Sequence, residues 1–469
     1  MKERTKRTLS LFAMFFAFIF LEFTVLGIGN HAGEGFLGTD RRELVYYEIQ
    51  VFVIIGFILY AAVRRAVKKS KITNGALFAA LCVFFVGAMA MLFAESSFFS
   101  LVAAFAAVAA MGFCGGAVYE RMGEAACSGE RAALVMGTGY AAAVALQYLL
   151  VLKWGITLPL YIIMPAAFVL LSVMLLRVPY ANEKPRPANE ARRTTKKQIL
   201  MACLICAALL LFTSFYNGYI HHLQVVSGYT DFNVYSWPRL MLIPCYLLFA
   251  AIGDRQKGRA VPAVSFCIAL AALLNCVLTS DAGAYTLNMC LFYCAIAGAV
   301  SYYNLTFWRL SKQTKQPALW ASMGRILDSA MVLITFGLHI SALPAVAVLA
   351  VDIAALAAVI LLMTLMGAKL SSPSPRAAGM ADISIDEAAP DFQSEDVFLV
   401  MKSRYSLTNR EAEVLRELVL TEDKQTVIGD RLSIRPRTVQ AYVTSLYQKT
   451  GVSTRAGLTD LYHETLRSR

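Results

Sequence analysis

Apolar runs of about twenty residues recur a dozen times before residue 368, and they leave this chain few ways to fold. Each run has the length a helix needs to cross roughly 30 Å of hydrocarbon. They fall near residues 9–29, 44–63, 75–95, 98–119, 132–152, 156–176, 199–219, 239–252, 260–279, 284–305, 318–338 and 341–367. The eleventh carries Arg325 and Asp328 inside its apolar run. Hydrophobic residues make up 58% of the chain and charged ones 16%. A soluble domain runs nearer ~45–50% and ~25%, so the surplus belongs to membrane spans. The opening "MKERTKRTLSLFAMFFAFIF" has the start of a secretory signal, but its apolar run continues to Gly29. That is too long for a signal core and reads as the first span.

Charge supplies the orientation. With an even number of spans, Lys2, Arg4, Lys6 and Arg7 share a side with the basic segments at 64–71, 177–197, 254–259 and 309–315. The opposite side receives Arg41, Arg42, Lys153 and Arg239. Lys and Arg collect on the cytoplasmic face, so both termini are expected there, in a multi-pass protein of the cell (inner, cytoplasmic) membrane. The ten cysteines all occur by Cys294, mostly inside apolar runs. Cys203 and Cys206 have no second pair nearby, so the cysteines read as small packing residues rather than a zinc or redox site.

The long basic loop at 177–197, with Pro179, Pro185 and Pro187, divides the spans six and six. "GDRQKGR" (253–259) lies between spans eight and nine, and "GERAALVMGTGYAAA" (129–143) enters span five. In these features the membrane part resembles the major facilitator superfamily. That resemblance implies two six-helix halves around a central cavity, joined by a cytoplasmic loop. The first half departs from it, because "RRAVKKSK" (64–71) has the charge of the signature loop without its Gly and Asp.

The texture changes after the last span. Three parts are expected: a bundle at 1–368, a flexible acidic linker at 369–402 and a helical domain at 403–469. In the last, "LTNREAEVL" opens with a capping box in which Thr408 and Glu411 bond each other's backbone. Val414, Leu415 and Leu418 form its apolar stripe, and Ile428, Leu432 and Ile434 that of a short second helix. A third helix follows from Pro436, a residue suited to a first turn because its missing N–H costs nothing there. Val439, Val443 and Leu446 face inward, leaving Arg437, Gln440, Ala441, Thr444 and Gln448 outside. Gly451 ends the helix, and a fourth short helix follows.

The stretch "LTNREAEVL … IGDRLSIRPRTVQAYVTSLYQKTGVSTRAGL" strongly resembles the LuxR-type, or GerE-like, DNA-binding domain over about 403–465. The resemblance implies a helix-turn-helix whose third helix enters the major groove, working as a homodimer on double-stranded DNA. Thr438, Val439, Lys449, Arg455 and Glu411 match the family pattern; Arg435, Gln440 and Tyr442 depart from it. The expected DNA contacts are Arg435, Arg437, Thr438, Gln440, Ala441, Thr444, Lys449 and Arg455.

Polar groups inside spans are costly and tend to face a cavity. Glu22, Asn217, Arg239, Asp328, His339 and Asp352 are therefore candidates for contact with a small-molecule ligand. Glu22 and Arg239, from opposite halves, have the charges to pair with each other. No nucleophile elbow, Walker loop, kinase signature or zinc motif is visible, so an enzyme is not expected, nor a cofactor or metal. The reading is an all-α protein: a polytopic bundle embedded in the lipid bilayer, fused to a helix-turn-helix. Its expected role is a one-component transcriptional regulator that senses a small molecule. The alternative is a major-facilitator-type transporter with a regulatory DNA-binding tail.

Overall fold

The computed structural model of the chain describes residues 2–37, 42–67, 70–93, 98–153, 158–177, 196–227, 237–255, 260–278, 285–337, 343–371, 398, 400–420, 425–432 and 434–467. His339, the loop at 178–195 and most of the acidic linker lie outside these residues. Two compact units form, Met1–Ser372 and Pro373–Arg469.

The described residues of the first unit are helices joined by short turns. In chain order it comprises α1 (Lys2–Leu37), α2 (Arg42–Ala66), α3 (Ser70–Phe93), α4 (Phe98–Cys127), α5 (Ala132–Gln147) and α6 (Leu158–Arg177). The second set is α7 (Lys196–Ser227), α8 (Leu242–Gly253), α9 (Ala260–Leu278), α10 (Tyr285–Ser311), α11 (Pro317–Gly337) and α12 (Ala345–Ser371). A π-helical turn, Tyr148–Lys153, extends α5, and a 3-10 turn, Trp237–Met241, leads into α8. Among the described residues ten helices are long and apolar enough to span a membrane. Trp237–Gly253 and Val346–Leu362 are further apolar helical stretches among the described residues, at the two remaining expected spans.

The packing has an internal twofold pattern. In the first half, α1 packs on α4, α5 and α6, α2 on α4, and α3 on α4 and α6. The second half repeats it in the same order: α7 packs on α10, α11 and α12, α8 on α10, and α9 on α10 and α12. Between halves, α2 meets α11 and α5 meets α8, two contacts that exchanging the halves interconverts, while α4 meets α10. The division at the long basic loop is therefore a division in packing as well as in sequence.

Side chains sort by solvent. Phe78, Val86, Phe93, Phe99, Ile162, Val169, Leu278 and Leu361 point outward, as lipid chains permit. Glu22, Gln50, Ser301, Asn304, Ser329 and Asp352 are buried within. Where α2 crosses α4, a Cβ on Gly56 would sit 2.8 Å from the Gly112 Cα. Only glycine lets the two backbones come this close, which is how helices gain contact in a solvent as apolar as their own side chains.

The second unit has its own core. Its helices are α13 (Asn409–Leu420), α14 (Gln425–Leu432), α15 (Pro436–Thr450) and α16 (Arg455–Arg467). Val414, Leu415, Leu418, Ile428, Val439, Val443 and Leu446 are buried together with Met401, Leu407, Leu458 and Tyr462. Phe398 stacks on Tyr462 at 4.8 Å, tying the segment before α13 to α16. Gly451 closes α15 with φ of +75°, a left-handed cap suited to a residue without Cβ, and its N–H donates to the Tyr447 carbonyl at 3.0 Å.

Candidate DNA-binding surface and intramembrane polar cluster

The helix-turn-helix is held by one carboxylate. Thr408 N–H donates to Glu411 Oε2 at 2.7 Å, and Glu411 N–H donates back to Thr408 Oγ1 at 3.3 Å, a reciprocal cap on α13. The same carboxylate accepts from Ser445 Oγ at 2.6 Å and from Lys449 Nζ at 2.8 Å, both on α15. Lys449 Nζ also donates to the Ser406 carbonyl at 3.3 Å. Burial alone would raise the Glu411 carboxyl, but the Lys449, Ser445 and Thr408 donors outweigh it and bring the group down to about 2. Arg455 Nε donates to the Leu418 carbonyl at 2.9 Å, anchoring the start of α16 on the end of α13.

This bracing leaves the opposite face of α15 to solvent. Arg435, Arg437, Thr438, Gln440, Ala441, Thr444 and Gln448 are all exposed, while Val439, Val443 and Leu446 are buried. A helix presenting short polar and cationic side chains along one face is built to meet base edges and phosphates in a groove about 12 Å wide.

Inside the bundle, polar groups gather between the halves around Arg325 of α11. Its Nε donates to Glu22 Oε1 of α1 at 2.9 Å, and its Nη1 to Asp328 Oδ2 at 2.6 Å and Ser329 Oγ at 3.3 Å. Ser329 Oγ donates to Gln50 Oε1 of α2 at 2.9 Å. Aromatic rings form a second layer: Tyr140 stacks on Tyr246 at 4.6 Å, and Phe15 meets Trp308 edge-on at 5.8 Å. Asn304 Nδ2 donates to Tyr140 Oη at 3.3 Å. Among the described residues, Asn304 Oδ1 and Trp308 Nε1 are buried with no partner. Toward one end, Arg239 Nη2 donates to Gln147 Oε1 at 2.8 Å, and its guanidinium lies 5.3 Å from the Phe23 ring.

At the end of the bundle bearing residues 254 and 130, the halves are tied by electrostatics. The Asp254 carboxylate accepts from the N–H groups of Ala133 at 3.0 Å and Leu134 at 2.8 Å, the orphan donors that open α5. Within the second half Arg309 Nη2 donates to the Gly253 carbonyl at 2.7 Å, and within the first Arg7 pairs with Glu130 at 2.8 Å.

Residues 405–462 match the family model described as bacterial regulatory proteins, luxR family. The C-terminal unit carries a LuxR-type helix-turn-helix domain. No curated protein matches the chain in sequence. A solved structure of the nucleoside transporter NupG, in a point-mutant form, aligns with a TM-score of 0.43 at 14% identity, covering 77% of this chain and 99% of that one.

In the LuxR-type domain, Arg435, Arg437, Thr438, Gln440, Ala441 and Thr444 share one exposed surface. Lys449 and Arg455 do not lie free beside them: the ammonium of one is spent on Glu411 and a carbonyl, and the other braces α13. In the bundle, Glu22 and Asp328 come together, but through Arg325 rather than Arg239. Arg239 turns instead to Gln147 and Phe23, so the pairing of Glu22 with Arg239 is replaced. Asn217 is exposed on α7, Asp352 is buried on α12, and His339 is outside the described residues. Arg325, Gln50 and Ser329 are the members that sequence reading missed. Arg325 was visible as a charge in the eleventh run, but a span's own pattern does not say which helix will face it.

Proposed function

We propose that the protein is a membrane-embedded one-component transcriptional regulator. Its bundle sits in the cell (inner, cytoplasmic) membrane with both termini in the cytoplasm and senses a small molecule. Its LuxR-type domain binds double-stranded DNA as a homodimer. One observation carries this reading: a folded helix-turn-helix with an exposed row from Arg435 to Thr444 shares a chain with a lipid-facing bundle. The charged cluster of Glu22, Arg325 and Asp328 supports the sensing role, because it is shared by helices of both halves and a ligand competing for Arg325 would favour one packing over another. The role is regulatory, not catalytic.

The test maps DNA crosslinked to the intact protein in cells, for wild type and for the double variant Arg437→Ala, Gln440→Ala. A discrete set of sites should be recovered with wild type and lost with the variant; an unchanged map would refute the assignment. The twofold packing of the bundle favours a second reading, a transporter with a regulatory tail. Gradient-driven uptake in vesicles, of a compound that induces the mapped genes, that survives deletion of 400–469 would select it.

A further inference from the structure

Asp352 of α12 has 0% of its surface exposed, and among the described residues no donor reaches either carboxylate oxygen. Glu22 and Asp328 share Arg325, and Glu120 has Arg64; among the described residues Asp352 has no such cation. Its helix packs on α7 and α9, both of the second half. Those helices contribute a hydrogen-bonded group centred on Asn288 of α10. Tyr216 Oη at 3.2 Å, Asn275 Nδ2 at 2.8 Å and Cys276 Sγ at 3.3 Å all donate to Asn288 Oδ1. Among the described residues Asn288 Nδ2 is buried without an acceptor. Asp352 acts electrostatically on Cys276, which puts it in the same part of the second half as this group.

An ionised carboxylate removed from water without a counter-charge binds a proton instead. Cys276 and Tyr216, the titratable groups near it on α9 and α7, supply no positive charge. A metal cation is disfavoured by the same geometry. Asn288 Oδ1 already faces three donors, whose positive ends repel a cation, and hard cations need several free oxygens. We propose that Asp352 is a proton-binding site of the second half, loaded in the packing seen here. The carboxyl O–H bond breaks only when α12 shifts against α7 and α9 and water arrives to take the proton. The resulting carboxylate then needs a donor, which Asn288 Nδ2 or water supplies. Loaded and empty forms thus favour different packings of α12, and the proton biases the bundle through that difference.

Infrared spectroscopy of the full-length protein in lipid nanodiscs reads the proton directly, whether or not the bundle senses a small molecule. Protein made with isotope-labelled aspartate should show a protonated-carboxyl band at neutral pH that shifts with the label. The band should be lost in Asp352→Asn and kept in Glu22→Gln and Asp328→Asn. Where Asp352→Asn fails to fold, Asp352→Glu serves: the band should persist but cease to respond to labelled aspartate. A wild type without a label-sensitive band overturns the proposal, as does a label-sensitive band that survives either change at Asp352.

Discussion

At Glu411 one side chain performs four tasks, capping α13, accepting from Ser445, pairing with Lys449 and filling a buried site at 5% exposure. Its position explains why Lys449, a family-matched cation, differs in role from the exposed row on α15. Lys449→Ala is expected to destabilise the LuxR-type domain by about 1–2 kcal/mol, since it strands a buried carboxylate while the lysine itself is partly solvated. Chemical denaturation followed by circular dichroism would show this, and the salt dependence of the remaining DNA binding should barely change. Arg437→Ala should do the reverse: stability intact, affinity lower on all sequences, and the salt slope reduced by about 1. Acid gives a third readout. The Glu411 carboxyl sits at about 2 against an ordinary 4.5, so its contribution is complete above pH 4.5 and drains away as pH falls toward 2. Wild-type domain stability should fall through that window, and Glu411→Gln should be less stable at neutral pH with a flatter acid profile. An equally steep profile in the variant would place the acid response elsewhere.

Among the elements, α5 and α8 show how a loop charge can set helix packing. Asp254 follows α8 and receives the first free N–H groups of α5, an N-cap delivered from the other half of the bundle. The residue that follows α2 is Val67, which has no carboxylate to offer α11. The two cross-half contacts are therefore related in geometry and unequal in chemistry. Asp254→Ala should lower the stability of the purified protein by about 1 kcal/mol, the usual value of a lost cap, measured as a shift in thermal unfolding. Val67→Ala should leave it unchanged. Equal losses at the two sites would mean that Asp254 contributes only local solvation.

For the molecule as a whole, membrane orientation controls whether the DNA-binding surface has access to DNA. Reporter fusions after residues 1, 180 and 400 should all read cytoplasmic if, as the charge pattern predicts, the basic segments at 64–71, 177–197, 254–259 and 309–315 share one face. A periplasmic signal at 400 would remove the LuxR-type domain from its substrate. Regulation asks more of the bundle than topology. Moving a two-state population from about 1% to 99% requires about 5.5 kcal/mol of differential binding, more than one ligand contact supplies. Arg325 binds Glu22, Asp328 and Ser329 at once, so a ligand that displaces several of these bonds has the leverage required. Arg325→Gln should blunt the promoter response to an inducing compound while DNA recognition by the tail persists. Full induction in that variant would move the sensing role away from the cluster.

The sequence by itself determined the helices, their division around the 177–197 loop and the identity of the terminal domain. These are local or periodic properties: apolar length, the Thr408–Glu411 spacing, Pro436 and Gly451 around α15, and the stripe of Val439, Val443 and Leu446 that leaves Gln440 and Thr444 outside. What only the tertiary structure decided is partnership. Glu22 faces Arg325 across 303 positions of chain, Ser329 reaches Gln50 across 279, and Lys449 turns inward to Glu411 across 38. A side chain's charge is written at its own position, but which opposite charge it meets depends on how helices from two halves rotate and pack. Close contacts such as Gly56 against Gly112 set the packing within a half, and spacing along one helix cannot report them. Asp352 makes the same point by omission: its charge is plain in the sequence, and only the fold shows that no cation among the described residues comes to meet it.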